Sequence, residues 1–266
     1  MLDPSRHGPW AVVAGASEGI GAAFAHQLAA AGLGVVLVSR RAAVLESLAD
    51  DVRAATPGAR VRVLAQDLTA ADAAEAVRDA TADLEVGLLV YNAGADTMAV
   101  KFHDRSIDDV MHLVHLNVVT PTRLCHHLGA SMRARGRGGI VLLGSMSGLA
   151  GTGWVAGYAA SKAYDQILAE GLWRELRGDG VDVMALVAGA TDTPAHARMG
   201  AAVTEEYPPM DPADVAREGL AALGQGPVWV AGDGNRAGFG ALSPVPRADV
   251  IEMMTRGTQL LFGVTD

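Results

Sequence analysis

WAVVAGASEGIG, Trp10 to Gly21, is the stretch that decides the fold. Its unbroken apolar start, Trp10–Gly15, fits a strand buried on both faces. Gly15, Gly19 and Gly21 follow in the spacing Gly-x-x-x-Gly-x-Gly. A helix-like stretch then runs from about Gly19 to Ala31 and stops at Gly32, a residue suited to a helix C-terminus. A strand, a tight turn and a helix in that order leave free N–H groups aimed at whatever lies above the turn. Such a terminus favours an anion, and glycine lets the backbone approach it closely. The competing reading is a plain strand–helix turn with incidental glycines.

The same alternation continues along the chain. VVLVS (Val35–Ser39), VRVLA (Val61–Ala65), VGLLVYNAG (Val86–Gly94), GIVLLGS (Gly139–Ser145), VDVMALVAG (Val181–Gly189) and PVWVAG (Pro227–Gly232) read as further strands. Helices are expected over Arg41–Ala55, from a capping box at Thr69-x-x-Asp72, from Ser106 to about Arg135 with a kink at Pro121, and over Tyr158–Arg177. Asp211-Pro212 pairs an N-cap with proline at the first helical position. A Gly-rich stretch and a last helix, about Pro246–Phe262, close the chain. Continuous apolar strands separated by helices predict an α/β fold: a doubly wound, seven-stranded parallel sheet with helices on both faces. No repeat or linker divides it, so residues 1–266 read as one domain with a C-terminal extension. Residues 190–210 show no period and read as a mobile loop over a substrate.

Composition narrows the function. Of 266 residues half are apolar, and the formal net charge is −9. No basic block stands out, which argues against nucleic acid as the partner. One cysteine, Cys125, excludes an intrachain disulfide and fits a reducing compartment. No signal peptide and no membrane-spanning run is visible. The expectation is a soluble cytoplasmic protein.

A glycine turn after a first strand suits the pyrophosphate of a dinucleotide. Selectivity is then written at the end of the second strand, where NAD-binding sites carry Asp or Glu for the ribose hydroxyls. Here the chain reads Ser39-Arg40-Arg41. Arginine grips a 2′-phosphate that a carboxylate would repel. NADP(H) is therefore the expected cofactor, with Arg40 the stronger candidate, Arg41 beside it and Ser39 a supporting donor. Ser17 can also reach that phosphate, and Glu18 is a counter-signal. Asp67 ends the third strand and can hold the adenine amino group, with Leu68 next to it. Asn92-Ala93-Gly94 ends the fourth strand at the edge where such sheets bind ligands. Ile20, inside the glycine turn, completes the cofactor-binding set.

YAASK, Tyr158–Lys162, sets a phenol and an ammonium four residues apart, on one face of a helix. The chain otherwise writes its cations as Arg and has only two lysines. A free phenol has a pKa of about 10, and a neighbouring cation lowers it by roughly 1–3 units. That suits Tyr158 to general acid/base work near neutral pH. Lysine is also compact enough to bond a ribose hydroxyl as well. Ser145, at the end of the fifth strand, can donate to a carbonyl oxygen, and Ser147 competes for that role.

These residues, with Asn117, complete a pattern. The chain resembles the short-chain dehydrogenase/reductase family over nearly its whole length. GASEGIG, the Gln66-Asp67 pair, Asn92–Gly94, Asn117 in HLNVVT, Ser145 in GSMSG and YAASK stand in the family's order. The resemblance implies a Rossmann-type fold, a homodimer or homotetramer through the long helices after Ser106 and Tyr158, and a catalytic tetrad. In that tetrad Tyr158 exchanges the proton, Lys162 lowers its pKa and holds the nicotinamide ribose, and Ser145 orients the substrate oxygen. Asn117 supports a water linking Lys162 to solvent. Nicotinamide contacts would fall at Thr191 and Thr193. The family's Pro-Gly after the sixth strand is Ala188-Gly189 here, which predicts a looser loop.

Eight histidines invite a metal reading. His112, His115 and Cys125-His126-His127 lie along one helix pattern with no second cluster opposite, so none is expected. His103 and Asp104 read as surface groups, His196 as an exposed loop residue, and Met253-Met254 as packing groups. Met98, Met146, Leu149, Trp154, Val155, Met199, Tyr207 and Met210 line the expected pocket and suit an apolar carbonyl compound, steroid-like or fatty. The leading reading is an NADPH-dependent ketone reductase, reversible as an alcohol dehydrogenase. The alternatives are a dinucleotide-binding regulator without turnover and an NAD-dependent alcohol dehydrogenase.

Overall fold

A computed structural model describes residues 2–94, 96, 98–200 and 208–265. Seven parallel strands form one sheet: β1 (Trp10–Ala14), β2 (Gly34–Ser39), β3 (Val61–Ala65), β4 (Val86–Tyr91), β5 (Gly138–Ser145), β6 (Val181–Ala188) and β7 (Val228–Val230). Their spatial order is β3-β2-β1-β4-β5-β6-β7. The order reverses between β1 and β4, and ligands of open parallel sheets bind at the carboxyl ends beside such a reversal.

The strands are apolar throughout because both faces are covered. Ala11, Val13, Val35 and Leu37 join one core with Phe24, Leu28, Leu45 and Val52. Those partners belong to α2 (Gly19–Ala30) and α3 (Ala42–Ala55), and Val215 and Leu220 of α9 (Pro212–Ala222) join them. Val12, Ala14, Leu89 and Tyr91 point the other way. They meet α4 (Ala73–Ala80), α6 (Thr120–Arg135) and α7 (Ala156–Leu176) through Val77, Leu124, Leu128 and Ala169. Full burial of one such side chain is worth about 1.5–3 kcal/mol.

Several local expectations need correction. Thr69 opens no capping box: its backbone N and its hydroxyl both bond Asp67 Oδ1, at 2.9 and 2.8 Å. α4 starts later, with Asp72 at the cap and no side-chain bond there. The long helix after Ser106 is interrupted before Pro121. α5 (Ile107–Val114), capped by Ser106, gives way to a π turn, His115–Val119, before α6. The Gly-rich stretch, to which the sequence assigns no element, forms a helix, α10 (Asp233–Leu242), ahead of α11 (Arg247–Phe262). A short N-terminal helix, α1 (Pro4–His7), carries no apolar period, and Arg6 and His7 bond Asp182 at 2.7 and 2.9 Å. The loop after β6 holds a short helix, α8 (Pro194–Arg198). Despite the missing proline it is pinned by a parallel bridge between Thr191 and Met210.

Candidate active site

The predicted residues gather along the carboxyl edge of β1, β4, β5 and β6. Gly15 has φ +84°, and a Cβ there would stand 2.6 Å from Ala93 N. Asn92 Nδ2 donates to Gly15 O at 2.8 Å, tying the turn after β1 to the turn after β4. A Cβ on Gly21 would meet Gly15 O at 2.1 Å, and one on Gly19 would meet Thr193 Cγ2 at 2.7 Å. The glycines are thus required by close packing, of Gly21 within the turn and of Gly15 and Gly19 against Ala93 and Thr193 of the neighbouring loops.

α2 begins at Gly19 with no side-chain cap. Its first-turn N–H groups, those of Gly19, Ile20 and Gly21, are therefore open to an anion. Ser39 Oγ, at the end of β2, is buried without a partner. Open helix N–H groups and an orphaned buried hydroxyl fit the phosphate and ribose end of a dinucleotide. Leu68 is buried beneath this edge, and its carbonyl accepts from Thr120 at 2.7 Å. Asp67 is exposed, and Thr69 leaves its second oxygen available. Burial is the largest influence on that carboxyl and opposes its charge, yet the Thr69 bonds and nearby Arg40 hold it below the usual range.

The two arginines after β2 part company. Arg40 is exposed. Arg41 pairs with Glu18 at 2.5 Å and reaches Ser17 Oγ at 3.3 Å. Glu18 also takes Arg198 of α8, so the helix in the loop after β6 is clasped to the glycine turn. Arg198 sits in a segment without period, so nothing in the sequence marks it as a partner of Glu18.

At the other end stands Lys162, 3% exposed. Its Nζ donates to Leu143 O at 2.7 Å and to Asp165 Oδ2 at 3.0 Å. Tyr158, one turn earlier on α7, is half-buried and close enough to help keep Lys162 charged. Burial is the strongest influence on Lys162 and pushes it down, but Asp165, then Tyr158, reverse this, and the net direction is up. Gly94, at φ +140°, closes over the group: a Cβ there would stand 2.7 Å from Asn117 Oδ1 and 2.9 Å from Lys162 Nζ.

Asn117 lies in the π turn, a feature frequent at functional sites. Pro121 has no N–H for the carbonyl four residues back, which is that of Asn117. Asn117 Nδ2 donates to Ser161 Oγ at 2.8 Å, and Ser161 donates to Tyr158 O at 2.7 Å. Ser161 therefore braces the start of the Tyr–Lys turn, a role no sequence pattern marks. Ser145 pairs in register with Ala188 and accepts from Ser147 N at 3.2 Å. That bond turns Ser147 into a support for Ser145. Thr191 is buried, with its hydroxyl on Gly189 O at 3.1 Å.

The expected pocket divides. Trp154 and Val155 are buried beside Phe102, Val110 and Leu113. Met98 is exposed, whereas Met146, Leu149 and Met199 are half-buried. Met210 packs against Gly232 and receives the Asn235 amide at its sulfur. Tyr207 lies outside the described residues. His196 is half-buried in α8, its backbone N capped by Thr193.

A family model described as short chain dehydrogenase matches residues 9–203. The chain belongs to the short chain dehydrogenase family. A 7beta-hydroxysteroid dehydrogenase of Clostridium sardiniense is 36% identical to this dehydrogenase over 247 residues, 92% of this chain and 94% of its own. A structure solved in a study of 7beta-hydroxysteroid dehydrogenase stereoselectivity superposes at TM-score 0.86 with 29% identity, covering 96% of this chain and 99% of that one. A short-chain dehydrogenase from Sphingobium yanoikuyae in complex with NADPH superposes at 0.79 with 29% identity, covering 92% and 95%. This dehydrogenase is thus an oxidoreductase on a Rossmann-type sheet. Among its described residues no helix is long and apolar enough to cross a membrane.

Proposed function

We propose that this dehydrogenase interconverts a ketone and an alcohol with NADP(H), working mainly as a reductase on an apolar substrate. The observation that carries the reading is the ammonium of Lys162, buried between Gly94, Asn117 and Leu143, with Tyr158 one turn before it on the same helix. Gly15, Ser17, Gly19, Ile20, Gly21, Asn92, Ala93 and Gly94 would hold the pyrophosphate and adjoining sugars. Asp67 and Leu68 would hold the adenine, and Thr191 and Thr193 the nicotinamide end. When bound, the nicotinamide supplies or accepts the hydride at the substrate carbon.

The chain's own residues handle the oxygen and the proton. Ser145 donates a hydrogen bond to the carbonyl oxygen and fixes its place. Tyr158 gives that oxygen a proton in reduction and takes it back in oxidation. Lys162 favours the phenolate that remains. Asn117 offers a carbonyl for a water through which the proton is replenished. Trp154, Val155 and Met146 supply apolar surface. The hydroxysteroid relatives support a bulky, apolar ketone.

Replacing Tyr158 with Phe should abolish ketone-dependent NADPH oxidation, a loss of at least about 10², while NADPH binding followed by fluorescence stays near wild type. Turnover retained by that variant refutes the mechanism. One observation favours a second reading, use of NAD(H): Glu18 already occupies Arg41. The ratio of kcat/KM for NADPH and NADH decides between them. Arg40→Ala should lower that ratio about tenfold or more; an unchanged ratio removes Arg40 from the 2′-phosphate.

A further inference from the structure

The charge on Lys162 depends on a residue outside every motif read from the sequence. Lys162 and Asp165, with side chains 3% and 1% exposed, form an ion pair at 3.0 Å. Three residues apart, they share one face of α7. Asp165 Oδ1, the oxygen turned away from the lysine, is buried without a partner. The titratable groups facing this carboxylate are Tyr91 from β4, Cys125 from α6 and Lys162 on α7 itself. Tyr91 donates its hydroxyl to Leu116 O at 2.5 Å. Burial first, and Asp165 second, push both the Tyr91 phenol and the Cys125 thiol up, so both stay neutral. Burial also pushes the Asp165 carboxyl up, against the pull of Lys162. Nζ donates to two acceptors, Oδ2 and Leu143 O, and Asp165, with Tyr158, outweighs burial in holding Lys162 as the ammonium. Facing Lys162 in turn are Asp165 and Tyr158.

We propose that Asp165 is a positioning residue of the proton-transfer site: it keeps Lys162 charged and seated beside Tyr158, and so sets the pH at which Tyr158 exchanges its proton. The inference rests on the reading of Tyr158 as general acid/base. An ammonium in a dry site needs a counter-ion, because the Leu143 carbonyl offers an acceptor but no charge. Buried lysines lacking one are known with pKa values of about 5–6. Without Asp165, Lys162 would be neutral at working pH, and Tyr158 would lose the cation that favours its phenolate. The anion of Asp165 also acts on the phenol directly, with the opposite sign. Tyr158 is among the groups that act on Lys162 but not among those that act on Asp165. The lysine's effect therefore prevails.

The test uses cofactor-free protein and the ultraviolet absorbance of tyrosinate. The chain has four tyrosines, so subtracting the titration of Tyr158→Phe isolates Tyr158. In the Asp165→Asn background, with its own Tyr158→Phe control, the midpoint should rise by about 1 unit or more. Asp165→Glu, which keeps the charge, should return it toward the wild-type value. The alkaline limb of NADPH-dependent turnover should move with it. A midpoint unmoved or lowered in folded Asp165→Asn overturns the proposal. Should thermal melting show that Asp165→Asn does not fold, Asp165→Ser is titrated and read the same way. Turnover retained in Tyr158→Phe would refute the general-acid/base reading itself, whatever the titrations show.

Discussion

Gly94 shows how little room the site leaves for side-chain chemistry other than its own. It adopts φ +140°, and a Cβ would collide with both Asn117 Oδ1 and Lys162 Nζ. Gly94→Ala therefore strains the backbone and displaces the ammonium. We expect a stability loss of about 1–3 kcal/mol, and a fall in kcat well beyond what partial unfolding explains; circular dichroism melting and steady-state kinetics on one preparation check both. Tyr158, Lys162 and Ser145 stand out in the sequence because each lies at a strand end or in a spaced pair, whereas Asn117, inside a helical stretch, stands out only through the family resemblance. Asp165 was not. An acidic residue three places after a lysine reads as an ordinary solvated helix pair, and only the burial of α7 turns it into a counter-ion. Ser161 hid for the same reason: a small residue between two conspicuous ones carries no pattern until Asn117 is brought against it.

The clasp between the glycine turn and α8 belongs to the element scale. Arg198 first and Arg41 after it hold the Glu18 carboxyl below the usual range, against an opposing effect of burial. Because that pKa is depressed in the folded protein, the clasp is at full strength above the ordinary glutamate value. It weakens as pH falls through the lowered one. Hydrogen exchange across α8 should therefore accelerate in acid, and Glu18→Gln should show the fast rate already at neutral pH. The same substitution frees Arg41, so NADPH should bind about 2- to 5-fold tighter while NADH is unaffected. At this scale the sequence foretold strands better than helices. β3 has the expected bounds because a short β-branched run between turns admits one solution. α10 escaped notice because Gly234, Gly238 and Gly240 mask its period. The π turn escaped because an extra residue in a helix leaves no mark on composition.

Over the whole molecule, two cores divided by one sheet share the stabilisation. Phe24, fully buried, anchors the α2 face. Phe24→Ala should cost about 3–5 kcal/mol in denaturant unfolding without moving the midpoint of the Tyr158 titration, since that site lies beyond the sheet's edge. Ile107 and Met111 on α5 and Ile167 on α7 are exposed. If the long helices form a subunit contact, Ile167→Glu should shift the scattering mass downward. The burial of Lys162 has a practical corollary. Of the chain's two lysines, only Lys101 is exposed, and it lies 5.5 Å from the Trp154 ring. A reagent that acylates side-chain amines will find one address rather than a scatter of them. A dye attached there would sit beside an indole that quenches or relays its emission, an optical gauge of any movement between Lys101 and Trp154.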